Sequence, residues 1–142
     1  MAKDSVRLMP VWAGASSNAN TPALPLIHAR DAGLAGILPT DPNLLRCFGA
    51  ADAMAAYLDP AKVAGKVLVC DRGGNVLVNK SANAKTAGAA GVVIANVAGG
   101  ANTIVNQAHT LSTVHLAQAQ GDALKAFMAA TPAGTAALGE VH

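Results

Sequence analysis

Hydrolysis by a protein needs a nucleophile, a base and usually an acid brought together, and the reactive side chains of this chain show no such pattern. The serines are Ser5, Ser16, Ser17, Ser81 and Ser112, and none lies in a G-x-S-x-G elbow. The histidines are His28, His109, His115 and His142. His109 and His115 are close enough in sequence to share a site, but no H-x-x-x-H or H-E-x-x-H puts two ligands on one helix face. Each histidine reads best as a loop or strand-end residue. The acids (Asp4, Asp31, Asp41, Asp52, Asp59, Asp71, Asp122 and Glu140) include no pair spaced for shared acid–base work and no calcium-loop alternation. The diglycines Gly73-Gly74 and Gly99-Gly100 belong to no phosphate-cradling or dinucleotide motif, so no cofactor is expected.

Cys47 and Cys70 lack the close spacing of a zinc or redox pair. Two states are open to them. They are two buried thiols, or one disulfide closing a 24-residue loop (70 − 47 + 1) and implying an oxidising compartment. Cys70 closes an apolar run, which argues burial rather than nucleophilic use. Asn79-Lys80-Ser81 is a formal glycosylation sequon, relevant only in a secreted eukaryotic protein. Asp71-Arg72-Gly73 is the most specific polar turn. Its structural role would have Asp71 accept backbone N–H groups and Arg72 pair with a carboxylate; its functional role would be contact with a partner.

Composition narrows the classes. The chain has 142 residues, 52% hydrophobic and 13% charged, which suits one domain with its own core rather than disorder. Aromatics make up only 3%, so Leu, Val and Ile must fill that core. Net charge is +2. The densest basic stretch, Lys62 to Lys85 with Lys66, Arg72 and Lys80 between, contains no aromatic for base stacking. It reads as a solvated face, and nucleic acid is not an expected partner. No apolar run reaches bilayer-spanning length, so no membrane is expected either. Met1 to Arg7 is polar and charged, unlike a signal peptide.

The elements that must carry these residues can be read in order. Leu8 to Ala13 and Leu24 to Ala29 are short strand candidates, with a Gly/Ser/Asn/Pro loop over Gly14 to Pro22 between them. Arg30 to Pro42 is irregular. Asp41 is a plausible cap for a turn of helix over Pro42 to Phe48, and a further turn covers Asp52 to Leu58. Val67 to Cys70 and Val92 to Ala95 are buried strands. Between them lie a short apolar stretch at Val76 to Val78 and an alanine-rich helix over Ser81 to Ala90, with Lys85 outward and Gly88 and Gly91 as capping residues. Val97 to Asn102 is a loop and Thr113 to Leu116 a strand. The helix Gln118 to Ala130 carries an apolar face of Ala119, Ala123, Leu124, Phe127 and Met128. Thr135 to Leu138 is a closing strand that brings the chain ends together, as an inserted domain requires.

From Asp59-Pro60-Ala61-Lys62-Val63-Ala64-Gly65-Lys66-Val67-Leu68-Val69-Cys70-Asp71-Arg72-Gly73 through Ala87-Gly88-Ala89-Ala90-Gly91-Val92-Val93-Ile94-Ala95-Asn96, the chain resembles the protease-associated (PA) domain inserted in subtilisin-like serine proteases. Leu24 to Ile27, Thr113 to Leu116, Gly121 and Leu124 extend the likeness over about Leu24 to Ala130. Leu111-Ser112 stands where the family usually has a proline.

The resemblance implies an α/β, swivelling β/β/α fold with a β-rich core and flanking helices, taking residues 1–142 as one domain. It implies a non-catalytic accessory role in a secreted subtilisin-like endopeptidase: substrate selection, or binding to protein, peptide or the parent catalytic domain. It also implies a Cys47–Cys70 disulfide. The polar loops at Asp71 to Asn75, Asn96 to Asn106 and Asp31 to Pro42 would carry the binding, with Asp71, Arg72, Gly73 and Asn96 as the named candidates. An exposed strand edge would offer a second route, accepting an extended peptide by strand addition. A spacer that shapes the active-site mouth without binding ligand is the alternative, and a small independent hydrolase a more remote one.

Overall fold

Uninterrupted runs of aliphatic residues need cover on both faces, and two such runs form the middle of the sheet. They are β4 (Val67–Asp71) and β5 (Gly91–Ala95), paired in parallel from Val67↔Gly91 to Asp71↔Ala95. β3 (Leu24–His28) lies parallel on the free side of β4, and β6 (Thr113–Leu116) lies parallel beside β5. Three short strands complete the sheet: β1 (Ser5–Arg7), β2 (Gly14–Ser17) and β7 (Thr135–Ala137). The order is β1-β7-β3-β4-β5-β6-β2. β2 runs antiparallel to β6, while β7 is antiparallel to β3 and parallel to β1, so residues 5–7 and 135–137 are neighbours. A computed structural model of the chain describes residues 5–7, 14–17, 24–104, 109–131 and 135–137.

Strand alternation divides the interior in two. Leu68, Cys70 and Val92 pack with Ala84 and Ala87 on the side of α3 (Leu77–Thr86). Val67, Val69, Val93, Val114 and Leu116 pack with Leu124 on the side of α4 (Gln118–Ala130). α1 (Pro42–Leu45) and α2 (Pro60–Val63) are single turns, each with proline in its first turn. Asp41 and Asp59 cap them by accepting the N–H two residues on, at 2.8 and 2.9 Å. α4 can lie close on β5 because Gly121 has no side chain: a Cβ there would sit 2.8 Å from that of Ala95.

This is the expected fold class, a parallel four-stranded sheet flanked by helices, but several elements differ from expectation. Gly14–Ser17 is a strand rather than a loop. At the end of the sheet, ladder bonds to β6 alone suffice, and no β-branched pattern is needed. α3 begins at Leu77, four residues before the expected start, and ends at Thr86. Val76 and Val78 are 61% and 38% exposed while Leu77 is buried, so that apolar triplet is a helix start and not a stretch of its own. The turn expected over Asp52 to Leu58 is displaced to a 3-10 turn at Ala50–Asp52, ended by Ala53 in the left-handed region at φ 59°. On α4 the buried positions are Gly121 and Leu124, with Phe127 and Met128 packed beside them; Ala119 and Ala123 face solvent. The strand expected over Leu8 to Ala13, His142 and the Leu138 end of the closing strand lie outside the described residues.

Candidate functional site

In parallel α/β sheets, ligands meet the carboxyl ends of the strands, and here those ends gather most of the polar candidates. β3 ends at His28, β4 at Asp71 followed by Arg72, β5 at Ala95 followed by Asn96, and β6 at Leu116 preceded by His115.

Alternation sends His28 and Asp71 toward α4, from which Lys125 reaches back. Its Nζ donates to Asp71 Oδ1 at 2.7 Å, and His28 Nε2 lies 3.5 Å from the same oxygen. Burial by itself would raise the Asp71 carboxyl. The adjoining His28 and Lys125 outweigh it and hold the group below the usual carboxylate range. Among the described residues Asp71 is thus bonded by Lys125 and faced by His28, and not held by the backbone N–H groups expected of it.

Among the described residues Arg72 likewise has no carboxylate partner. Its Nη1 donates to Thr103 O at 2.7 Å, Thr103 Oγ1 at 3.2 Å and Asn96 Oδ1 at 3.3 Å. The Asn96 amide nitrogen donates to Thr103 O at 2.8 Å, and Asn96 Oδ1 lies 2.6 Å from His115 Nε2. Arg72 and Asn96 therefore clamp the loop after β5 onto the turn after β4.

The turn from Asp71 to Asn75 is held from beneath by a residue that composition assigns to solvent. Lys80 is fully buried in α3. Its Nζ donates to Arg46 O at 2.9 Å, Gly73 O at 2.9 Å and Asn75 Oδ1 at 2.6 Å. The solvated-face reading of Lys62 to Lys85 fails here, because three oxygen acceptors match the three N–H groups of the ammonium. Burial, with the Arg46 charge adding to it, lowers the Lys80 pKa to about 7. Gly73 and Gly74 give the turn positive φ at 126° and 76°. A Cβ on Gly74 would meet the Phe48 ring at 2.8 Å.

A second polar knot adjoins the first. The Asp52 carboxylate accepts from Gly49 N, Asn75 Nδ2, Asn79 Nδ2 and Asn83 Nδ2, all between 2.9 and 3.0 Å. Burial would raise the Asp52 carboxyl, and these four donors together hold it below its ordinary value. Asn83 also donates to Cys47 O at 2.9 Å and accepts from Ala51 N at 3.0 Å. Cys47 is bonded to Cys70, with Cα atoms 5.8 Å apart, so α3, β4 and the segment after α1 are joined covalently and by hydrogen bonds.

Sequence reasoning missed Lys80, Asp52 and Asn83 as structural centres. The available signal was Asn79 and Asn83 at i, i+4 in a helix otherwise rich in alanine, a polar stripe on what should be its packed face. The same contacts bear on the sequon, since Asn79 Nδ2 donates to Ala51 O and Asp52 Oδ1, and Ser81 is buried.

The two histidines considered as a pair go to different partners. His115 meets Asn96, while His109 Nδ1 lies 2.6 Å from Ser81 Oγ. This Ser–His contact is not arranged for nucleophilic chemistry. Ser81 gives its hydroxyl hydrogen to Val78 O at 3.0 Å, so His109 must donate to it, the reverse of what a base does. Among the described residues no group of three His, Cys, Asp or Glu side chains could hold a metal ion. No helix of those residues is long and apolar enough to cross a membrane.

The PA domain family model matches residues 37–124. Subtilisin-like protease SBT5.4 of Arabidopsis thaliana is 38% identical over 106 residues, which are 75% of this chain and 13% of that protein. Subtilisin-like protease SBT1.7 of the same plant is 34% identical over 115 residues, 81% of this chain and 14% of that one. The chain thus spans about a seventh of the length of these relatives. Among solved structures, a zinc aminopeptidase from Bacillus subtilis aligns over 79% of this chain and 23% of its own, at 22% identity and a TM-score of 0.46.

Proposed function

Because this chain belongs to the PA domain family, whose relatives here are subtilisin-like proteases, we propose that it is a non-catalytic accessory domain that binds polypeptide for such a protease. Residues 1–142 act as one module, outside the cell, where the Cys47–Cys70 bond is stable. The polypeptide is a substrate segment or the parent catalytic domain.

One observation carries this reading. The large hydrophobic side chains exposed among the described residues are Leu38, Val76, Val78 and Ile104. Leu38 and Ile104 lie on two of the expected binding loops, and Val76 and Val78 directly follow the third. The clamps at Arg72, Asn96 and Lys80 hold the turn after β4 and the loop after β5, so the apolar groups there are presented from a fixed frame. Preorganised loops lose less entropy on binding.

The test is an amide-shift titration of the ¹⁵N-labelled chain with unstructured, casein-derived peptides. Shifts that include residues 36–40, 72–78 and 97–104, abolished there by Val76→Asp with Ile104→Asp, are the expected result. No shift anywhere at about millimolar peptide, where even weak binding registers, overturns the binding role. Deleting the domain from a parent protease separates the spacer alternative: lost stability with unchanged cleavage preference would favour the spacer.

A further inference from the structure

Away from the loops after β4 and β5, and touching the third expected loop, Asp31 to Pro42, only at Asp31, a cleft of about 620 Å³ runs between β3 and the C-terminal half of α4. That is ample for a side chain and its flanking backbone. Its apolar wall includes Leu26 and Met128. Its charged groups are Arg30, Asp31, Lys66 and Lys125, and His28 contributes from the end of β3.

Most of these charges are internally matched. Arg30 Nε lies 3.7 Å from Asp31 Oδ2, and Lys125 pairs with Asp71 at 2.7 Å. Lys66 has no ion-pair partner among the described residues, which leaves one positive charge uncompensated.

His28 adds an unmet donor. Its Nδ1 accepts the Arg30 N–H at 3.4 Å, so the neutral ring carries its hydrogen on Nε2. The residue is 8% exposed, and Nε2 makes no hydrogen bond: it faces Asp71 Oδ1 across 3.5 Å, beyond good hydrogen-bond length, and that oxygen is already engaged by Lys125 at 2.7 Å. Buried donors in folded proteins are almost always satisfied, so an orphan lining a cleft marks a place where an acceptor belongs.

We propose that this cleft receives one side-chain carboxylate of an extended polypeptide, at a Glu or Asp flanked by aliphatic residues. Lys66 supplies the opposing charge, His28 Nε2–H donates to the carboxylate, and Leu26 and Met128 cover the flanking aliphatic groups. Charge complementarity selects an acidic segment: one unpaired cation and one unmet donor suit a single carboxylate and exclude a basic one. The proposal rests on the polypeptide-binding reading above and places a second, acid-selective contact beside it.

The test uses the full chain and two acetylated, amidated octapeptides, GSLELEGS and its neutral counterpart GSLQLQGS. Amide and imidazole shifts should appear at residues 26–28, 66 and 125–129 with the acidic peptide and be at least about tenfold weaker with the neutral one. Lys66→Glu should abolish them and Lys66→Arg should retain them. Because Lys66 has no ion-pair partner among the described residues, its variants are not expected to unfold the domain. Binding that ignores peptide charge, or shifts confined to the loops after β4 and β5, overturns the cleft and leaves the polypeptide-binding reading standing. No binding by either peptide, with none by the casein-derived set, overturns both.

Discussion

Replacing Lys80 with Met keeps an unbranched apolar stem one atom shorter and removes the ammonium, and its consequence is a change in pH dependence. At neutral pH two effects oppose each other. The substitution strips Arg46 O and Asn75 Oδ1 of their donor, while Gly73 O keeps the Asn75 N–H at 2.9 Å. Two unsatisfied acceptors cost about 2–6 kcal/mol. The same substitution removes the burden of a lysine lowered from 10.5 to about 7 on folding, which is about 5 kcal/mol at full extent. The difference at pH 7 is therefore small, of either sign, and decides nothing.

The slope decides. Between pH 7 and 10.5 the unfolded chain holds the Lys80 proton and the folded chain has largely released it, so the native protein gains stability as pH rises through this window. Lys80 is half-titrated at the start, so the gain from pH 7 to about pH 9 is about 2 kcal/mol. Lys80→Met lacks this gain, and every other titrating group cancels in the comparison. Urea denaturation followed by far-ultraviolet circular dichroism at several pH values should show the wild-type midpoint moving up by about 1 M relative to the variant, for a slope of about 2 kcal/mol per molar. Parallel curves would refute the reasoning, because they would mean that the three oxygens keep the ammonium protonated throughout.

Other consequences are simpler to read. Cys47→Ser with Cys70→Ser opens a 24-residue loop (70 − 47 + 1) and should cost about 3 kcal/mol in the same urea assay, with the circular dichroism of the folded state retained at low temperature. Gly74→Ala must place a Cβ 2.8 Å from the Phe48 ring at φ 76°, and a loss of about 2–3 kcal/mol is expected. Gly36→Ala, at φ 88° with nothing within 4 Å, should lose only the backbone share of about 1 kcal/mol, so equal losses would remove the steric argument. Expression in a glycosylating host should leave Asn79 unmodified in the folded chain, because its amide nitrogen donates to Ala51 and Asp52; intact-mass measurement of a glycan there would contradict that geometry.

The parts of the fold that were legible in the residues are those whose partners are apolar. Val67 to Cys70 and Val92 to Ala95 are fully buried strands, and their composition alone marks them. β2 was illegible because Gly14-Ala15-Ser16-Ser17 has no strand pattern, and only pairing to β6 makes it one. The start of α3 was misread because Val76-Leu77-Val78 is apolar regardless of which residue turns inward. The disulfide was open on spacing alone; family resemblance implied it, and the structure closes it. Asp71-Arg72-Gly73 was identified as a specific turn and Asn96 as a candidate on a separate loop, but neither their meeting nor their partners were. Arg72 and Asn96 meet at Thr103 O, and Lys80 at Arg46 O; these are backbone oxygens, and no side-chain pattern announces them.

The polar groups of the Asp71 to Asn75 turn explain why a chain with acids, histidines and a buried lysine reads as an accessory domain. Asp52 is an anion fed by four N–H donors, and Lys80 a cation facing three oxygens. Asn75 bridges them, giving its amide hydrogens to Asp52 and its carbonyl to Lys80. Catalysis would need at least one of these groups aimed at open space and ready to change partner during a reaction. Here each is occupied in fixing a loop, and the nearby disulfide fixes the backbone from which they project. The groups left over are of a different kind: exposed aliphatic side chains on the clamped loops, and across the sheet a cleft where, among the described residues, Lys66 has no ion-pair partner and His28 Nε2 makes no hydrogen bond. Such remainders suit attracting and orienting a chain, which is what the proposed binding role asks of them.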